Sequence, residues 1–202
     1  MQVLIDNSFI EKFKYNNYGG LDDMFIFLKI LNMEPMIIKY ILDNELLFNA
    51  PKYKLENKKI NVIDLKNVFN TDEKIKRFKE NFIDLYNGLC DKCELIGKAV
   101  GRINIEDEKD IFNIYHKQGS SVGDVYMALL AHEIKIPIIL TNDSDFYTLE
   151  SFFNEMLSIG NDMITLIDAD KLVEMVRESN DKTFTPKQLK LIRRCIKSNN
   201  KV

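Results

Sequence analysis

Residues 123–146 read GDVYMALLAHEIKIPIILTNDSDF. The spacing predicts an amphipathic helix that opens on Asp124. Ile136, Pro137 and the run Ile138-Ile139-Leu140 then read as a buried strand, closed by Thr141-Asn142-Asp143-Ser144-Asp145. A short apolar run bounded by turn residues suits a parallel strand covered on both faces. Open α/β sheets bind ligands at the carboxyl ends of their strands, which is where Asp143 and Asp145 are expected. Asp124, at the head of the preceding helix, can fold back toward the same edge. The first segment repeats the pattern, with Met1-Gln2-Val3-Leu4-Ile5 running apolar into Asp6-Asn7-Ser8.

Outward from these strands, helical and strand patterns alternate without hairpin signals. That alternation predicts a three-layer α/β/α domain with a mostly parallel central sheet. Ser8 to Tyr18 reads as a short helix stopped at Gly19-Gly20, and Asp22 and Asp23 head a second. Pro35 marks the first turn of a further helix, with Ile37, Ile38, Ile41 and Leu42 on its apolar face. Glu45 falls on that same face. Ile60 to Leu65 suits a short strand, and Thr71 caps a charged helix over 72–89 with Ile75, Phe78, Phe82 and Leu85 inward. More helix is expected to Gly119, broken near Gly101. Residues 163–167 read as another buried strand. The chain therefore forms one domain over 1–202, with 50–119 as a helical insertion. A closing helix at 185–198 begins on the capping box Thr185-Pro186-Lys187-Gln188.

Composition sets broad limits. Apolar residues make up 46% and charged residues 29% of the 202, which is globular rather than disordered. No apolar run reaches the roughly 18 residues of a membrane span. The chain enters a strand directly, without the basic and apolar regions of a signal peptide. Three cysteines fit a reducing compartment, so a cytoplasmic location without membrane association is expected. The net charge of −3 argues only weakly against nucleic acid, because carboxylates gathered at a metal would account for it.

Each carboxylate has an ordinary structural reading. Asp6 suits a strand end that caps a helix, and Asp143 and Asp145 suit a turn. Ser121-Val122-Gly123-Asp124 fits a capping box. Glu45 is harder to dismiss, because a charge on an apolar face needs a partner. Together they are more specific, since two strand ends and two helices deliver carboxylates to one sheet edge with no lysine or arginine in the flanking motifs. Crowded carboxylates repel one another unless something positive compensates. Hard divalent cations take oxygen ligands, and Mg²⁺ uses only one or two carboxylates while keeping several waters. Such a metal activates water and stabilises the leaving oxygen of a phosphodiester.

Asp6-Asn7-Ser8, Asn44-Glu45-Leu46, Gly123-Asp124 and Thr141-Asn142-Asp143-Ser144-Asp145-Phe146 together resemble the PIN-domain family, which includes the VapC-type toxin ribonucleases. The spacing from Asp124 to Asp143 is also similar to the family's. The match covers about the first 49 residues and 120–167. It implies an endoribonuclease that cuts RNA with Mg²⁺ or Mn²⁺. Asp6, Glu45, Asp124 and Asp143 correspond to the acidic quartet, with Glu94 the substitute for Glu45. It implies Asp6, Asp124 and Asp143 as metal residues with Asp145 as accessory, and Ser8 and Thr141 as polar, substrate-side neighbours. The partners it leaves open are RNA, an antitoxin-like protein inhibitor and a second copy in a homodimer.

Two further patterns carry weaker signals. Cys90-Asp91-Lys92-Cys93 has half-site zinc spacing, but completing it needs Cys195 and His116 or His132; buried thiols are the simpler reading. Lys187, Lys190, Arg194 and Lys197 fall on one face of the closing helix, which is either a solvated face or a phosphate-backbone contact. The functional alternatives are a DNA nuclease and a binding or regulatory module on the same fold.

Overall fold

A computed structural model describes residues 1–14, 20–46, 55, 60–99, 101–105, 110–115, 120–156, 163–179, 186, 189 and 190, with backbone alone at 14 and 144–149. In chain order its elements are β1 (Gln2–Ile5), α1 (Asn7–Lys14), α2 (Leu21–Ile30), β2 (Glu34–Ile38), a π-helical turn (Ile41–Glu45) and β3 (Asn61–Ile63). There follow α3 (Leu65–Val68), α4 (Asp72–Leu95), α5 (Val122–Glu133), β4 (Ile138–Leu140), α6 (Ser144–Met156), β5 (Thr165–Ile167) and α7 (Ala169–Glu178). The five strands pair in parallel throughout, in the order β3-β2-β1-β4-β5. Helices α1, α2 and α7 pack on one another, and α5 and α6 each pack on α4, giving a helical layer on each side of the sheet. This is the three-layer α/β/α arrangement.

The strand order places a switch point between β1 and β4. From β1 the chain builds outward through β2 to β3, then returns to lay β4 and β5 on the opposite side. Helices leaving β1 and β4 diverge there, opening a crevice beyond the carboxyl ends of the two strands. Val3, Leu4, Ile5, Ile139 and Leu140 are fully buried, so the centre of the sheet is apolar up to the residue where each strand stops.

Glu34–Ile38 is a strand where periodicity predicts a helix. The run Met36-Ile37-Ile38 is buried and pairs with Asn61-Val62-Ile63 on one side, while Glu34–Met36 pairs with β1 on the other. An apolar run this short fits either period, and its length favours a strand. Pro35 sits where β2 has not yet met β3, so its missing N–H is tolerated. The helical character begins only at Lys39 and widens into the π turn, where the Leu46 N–H reaches back to the Ile41 carbonyl.

The stretch 50–119 is not a helical appendage where it is described. β3 is an edge strand of the sheet, and α4 packs on α5 and α6. Thr71 accepts a hydrogen bond from the Lys74 N–H at 3.3 Å, with Asp72 and Glu73 in the first turn suiting the helix dipole. Phe78, Phe82 and Leu85 point inward as expected, but Ile75 is 36% exposed. Phe69, Phe78, Phe82, Phe112 and Tyr126 form one aromatic cluster, with centroid separations of 4.5 Å for Phe69–Phe78 and 5.0 Å for Phe82–Tyr126. The Tyr126 hydroxyl donates to the Ile111 carbonyl at 2.7 Å and accepts from the Ile114 N–H at 3.3 Å, pinning the segment after α4 to α5. α4 ends before the expected break at Gly101. Gly97, at φ +75°, closes it with N–H bonds from Gly97 to Glu94 and from Lys98 to Cys93, a glycine-dependent reversal. Of the closing helix, Pro186, Leu189 and Lys190 are helical and exposed, while Lys187, Arg194, Lys197 and the rest of 185–198 lie outside the described residues.

Candidate acidic site at the sheet switch point

Asp6 follows β1 directly and Asp143 stands three residues beyond β4, so parallel pairing puts both at the same sheet edge. The Asp6 N–H donates to the Leu140 carbonyl at 2.9 Å, locking the end of β1 to the end of β4. Glu45 closes the π turn that follows β2, and Asp124 lies in the first turn of α5. These four carboxylates face one another. Asp6 and Asp143 both act electrostatically on Glu45, and Asp6, Asp143 and Glu45 all act on Asp124. Asp6 is buried, and the other three are half-buried.

A hydrogen-bond cradle holds Asp6. Its Oδ2 accepts from the Ser8 N–H at 3.2 Å, from the Thr141 hydroxyl at 2.9 Å and from the Ser8 hydroxyl. In turn the Ser8 Oγ accepts from the Asn142 N–H at 2.9 Å, and the Thr141 Oγ1 accepts from the Asp143 N–H at 3.0 Å. Each hydroxyl thus donates to Asp6 and accepts from the β4–α6 loop. Ser8 and Thr141, expected as polar neighbours on the substrate side, both turn their hydroxyls to Asp6. Thr141 is fully buried, and both hydroxyls position Asp6 and the loop bearing Asp143. Asn142 Oδ1 accepts from the Ala169 N–H at 3.2 Å, tying the same loop to α7.

Burial raises the pKa of these acids first, and their mutual repulsion adds to it. Glu45 is pushed up to about 8 by desolvation and then by Asp6 and Asp143. Desolvation holds Asp124 well above the ordinary aspartate range, with Asp6, Asp143 and Glu45 adding to it and a hydrogen bond with Ser121 opposing it. Asp6 is also raised by burial, although its bonds from Ser8 and Thr141 work the other way. The capping box that would give Asp124 an ordinary role is not formed as expected. Ser121 sits in the left-handed region at φ 52° and makes no side-chain cap.

Glu45 comes inward by an unexpected route. Since β2 is a strand, the helical stretch begins only at Lys39, and its π turn carries Glu45 across the carboxyl end of the sheet to α5. Its carboxylate lies against Gly123, where a Cβ would stand 2.1 Å from Oε1 and 3.0 Å from Cδ. Glycine there provides room for the neighbouring acid. We predict that Gly123→Ala expels Glu45 and lowers any cleavage rate on the order of 100-fold, the cost of misplacing a group by about 1 Å. Unfolding in chelator should show no matching loss of stability, because the expelled carboxylate regains water. Full activity in Gly123→Ala would remove Glu45 from the working site.

Glu94, the substitute for Glu45, is elsewhere. It is exposed and accepts from Arg102 Nε at 2.8 Å and Nη2 at 3.1 Å, which holds its carboxyl below the usual range. Asp145 has its backbone in the first turn of α6, and its side chain is outside the described set. Cys90 and Cys93 are buried and in no disulfide, the simpler of their two readings, and burial pushes Cys90 up. Cys195 and His116 lie outside the described residues, whereas His132 stands in the last turn of α5.

Among the described residues, no three His, Cys, Asp or Glu side chains stand in ligating geometry around one point. The donors available at the crevice are nonetheless all oxygen, and the buried Asn7 Oδ1 beside Asp6 lacks a hydrogen-bond partner. Such a set fits a hard divalent cation that takes one or two carboxylates directly and keeps several waters. It does not fit zinc, which favours nitrogen and sulfur in a closed shell.

Compared with known proteins, the chain matches no family model, no curated protein and no solved structure. Among the described residues, no helix is long and apolar enough to cross a membrane.

Proposed function

We propose that the chain is a metal-dependent endoribonuclease of the PIN type, hydrolysing RNA phosphodiesters at the crevice between β1 and β4. The observation that carries this reading is the mutual approach of Asp6, Glu45, Asp124 and Asp143 at the switch point. The charged groups acting on Glu45 are all negative, and burying several carboxylates together is costly without a compensating cation. One or two of Asp6, Asp124 and Asp143 would ligate Mg²⁺ or Mn²⁺ directly, and the others through its waters. When bound, such an ion supplies a water of lowered pKa and stabilises the leaving oxygen.

The remaining work belongs to the chain. Ser8 and Thr141 fix the Asp6 carboxylate and, through Asn142 and Asp143, the loop opposite it. Glu45 keeps its proton to about pH 8 in the metal-free protein and is the group placed to hold or release one near neutrality. The apolar sheet behind the crevice excludes water from one side. A role as a toxin checked by a protein inhibitor, and assembly as a homodimer, are extensions of the same family reading.

The test is cleavage of mixed RNA and of single- and double-stranded DNA by purified protein with Mn²⁺, Mg²⁺ or chelator. RNA should be cut with either ion and left intact with chelator. Cutting of DNA alone would move the reading to a DNA nuclease. No cutting of either polymer, by folded and metal-supplied protein, would leave a binding module on this fold.

A further inference from the structure

We propose that a second cavity, at the carboxyl ends of β2 and β3, is a nucleobase subsite that seats a base beside the bond presented to the acidic crevice. This rests on the nuclease reading for its neighbour but on separate residues for its own chemistry. The cavity has a volume of about 270 Å³ and is lined by Asp43, Asn44, Asp64, Lys66, Phe112 and Asn113 among others, Lys39 included. That is near the small end of ligand pockets, ~300–1,000 Å³, a size suited to one base with its sugar. Asn44 precedes Glu45, and β2 lies beside β1, so the two sites are one to two strand spacings apart, ~5–10 Å.

The wall chemistry selects a neutral, planar, hydrogen-bonding ligand over a bare anion. Lys39 Nζ already pairs with Asp64 at 3.3 Å, and Lys66 Nζ with Asp110 at 2.6 Å, so the cations are matched. Phe112 is half-buried, backed by Phe69 at 6.2 Å and 18° and by Phe78 at 4.8 Å, and its remaining surface lines the cavity. Asp110 accepts from both the Lys66 ammonium and the Phe112 N–H, at 3.2 Å for the latter, which anchors that ring to the end of β3. A supported aromatic ring flanked by amide and carboxylate groups is the surface that unstacked bases use, one face stacked and the edge hydrogen-bonded.

Titration of the intact chain with AMP, GMP, CMP and UMP in chelator, followed by amide NMR shifts, tests this without relying on cleavage. Ribose 5-phosphate is the control for a phosphate-only contact. At least one nucleotide should shift the amides of residues 110–113 and 64–66, and Phe112→Leu should weaken it by about tenfold, as loss of one stack does. Asn113→Ala, an exposed change that spares the fold, should alter the ranking of the four bases. Equal affinity for ribose 5-phosphate, or nucleotide affinities unchanged in both variants, would overturn the subsite. Wild-type protein that cuts RNA yet binds no nucleotide here would also overturn it while leaving the nuclease reading intact. Binding that follows the two variants in a chain that cuts no RNA would support the subsite and remove the nuclease.

Discussion

Asp124→Asn should yield a folded protein whose metal-dependent cleavage falls by at least about 100-fold, since even changes one shell out from a metal cost 10–100-fold. Asparagine keeps an oxygen for the hydrogen bond with Ser121 but removes the charge that a hard cation needs. Were Asp124 simply a cap, its loss would cost about 1 kcal/mol of stability and leave chemistry alone. Here the opposite split is expected. Asp124 stands in the repulsive field of Asp6, Asp143 and Glu45, so neutralising it should leave metal-free stability at pH 8 equal or higher. Thermal unfolding in chelator, paired with cleavage across a Mn²⁺ series, reads both halves. A mutant that is fully active and destabilised would make Asp124 a structural residue.

Metal-free protein should lose stability as pH rises from about 5 to 8, against the habit of proteins whose acids are paired. Glu45 ionises near pH 4.5 when unfolded and near 8 when folded, so in between the folded state holds a proton that the unfolded state has lost. Stability then falls with pH through that window and is fullest below the unfolded value. Asp124 and Asp6 are raised as well and act in the same direction. One unit on one group is worth about 1.4 kcal/mol, and partial exposure of Glu45 reduces its share, so its loss is on the order of 2–3 kcal/mol. Below pH 5 the opposing acids take over. Glu133, paired with Lys74 and Arg77, and Asp110, paired with Lys66, are held low and destabilise on protonation. A divalent cation at 100 times its dissociation constant should restore about 2.7 kcal/mol at pH 8. Urea unfolding at pH 5, 6, 7 and 8, with chelator and with Mn²⁺, measures this. Stability that is level or rises with pH in chelator would mean the carboxylates are not buried together.

The residues that were legible in the sequence are those fixed by short-range patterns. Ile138-Ile139-Leu140 and Val3-Leu4-Ile5 announce buried parallel strands, and a parallel sheet necessarily sends Asp6 and Asp143 to one edge. Asp124 follows from its place at a helix start. Glu45 was reached by a mistaken path: its partnership with Gly123 depends on a π turn, which no periodicity reveals. The strand β2 was hidden because Met36-Ile37-Ile38 is too short to distinguish the two periods. Ser8 and Thr141 were found as polar neighbours, but their orientation toward Asp6 depends on the register of β1 against β4, a long-range fact. The strand within 60–65 and the inward face of α4 are legible locally, but the packing of α4 on α5 and α6 is not. Phe78, Phe82 and Tyr126 meet across distant parts of the chain, and nothing local marks them as partners.

The most direct test of the acidic crevice is Mn²⁺ binding by electron paramagnetic resonance and calorimetry at pH 7.5. It should compare wild type with Asp6→Asn, Asp143→Asn, Gly123→Ala and the exposed control Glu94→Gln. A site at the switch point predicts one or two bound ions per chain, binding weakened at least about tenfold in each of the three crevice variants, and no change in Glu94→Gln. Equal Mn²⁺ affinity in wild type, Asp6→Asn and Asp143→Asn would contradict a cation site built from these carboxylates.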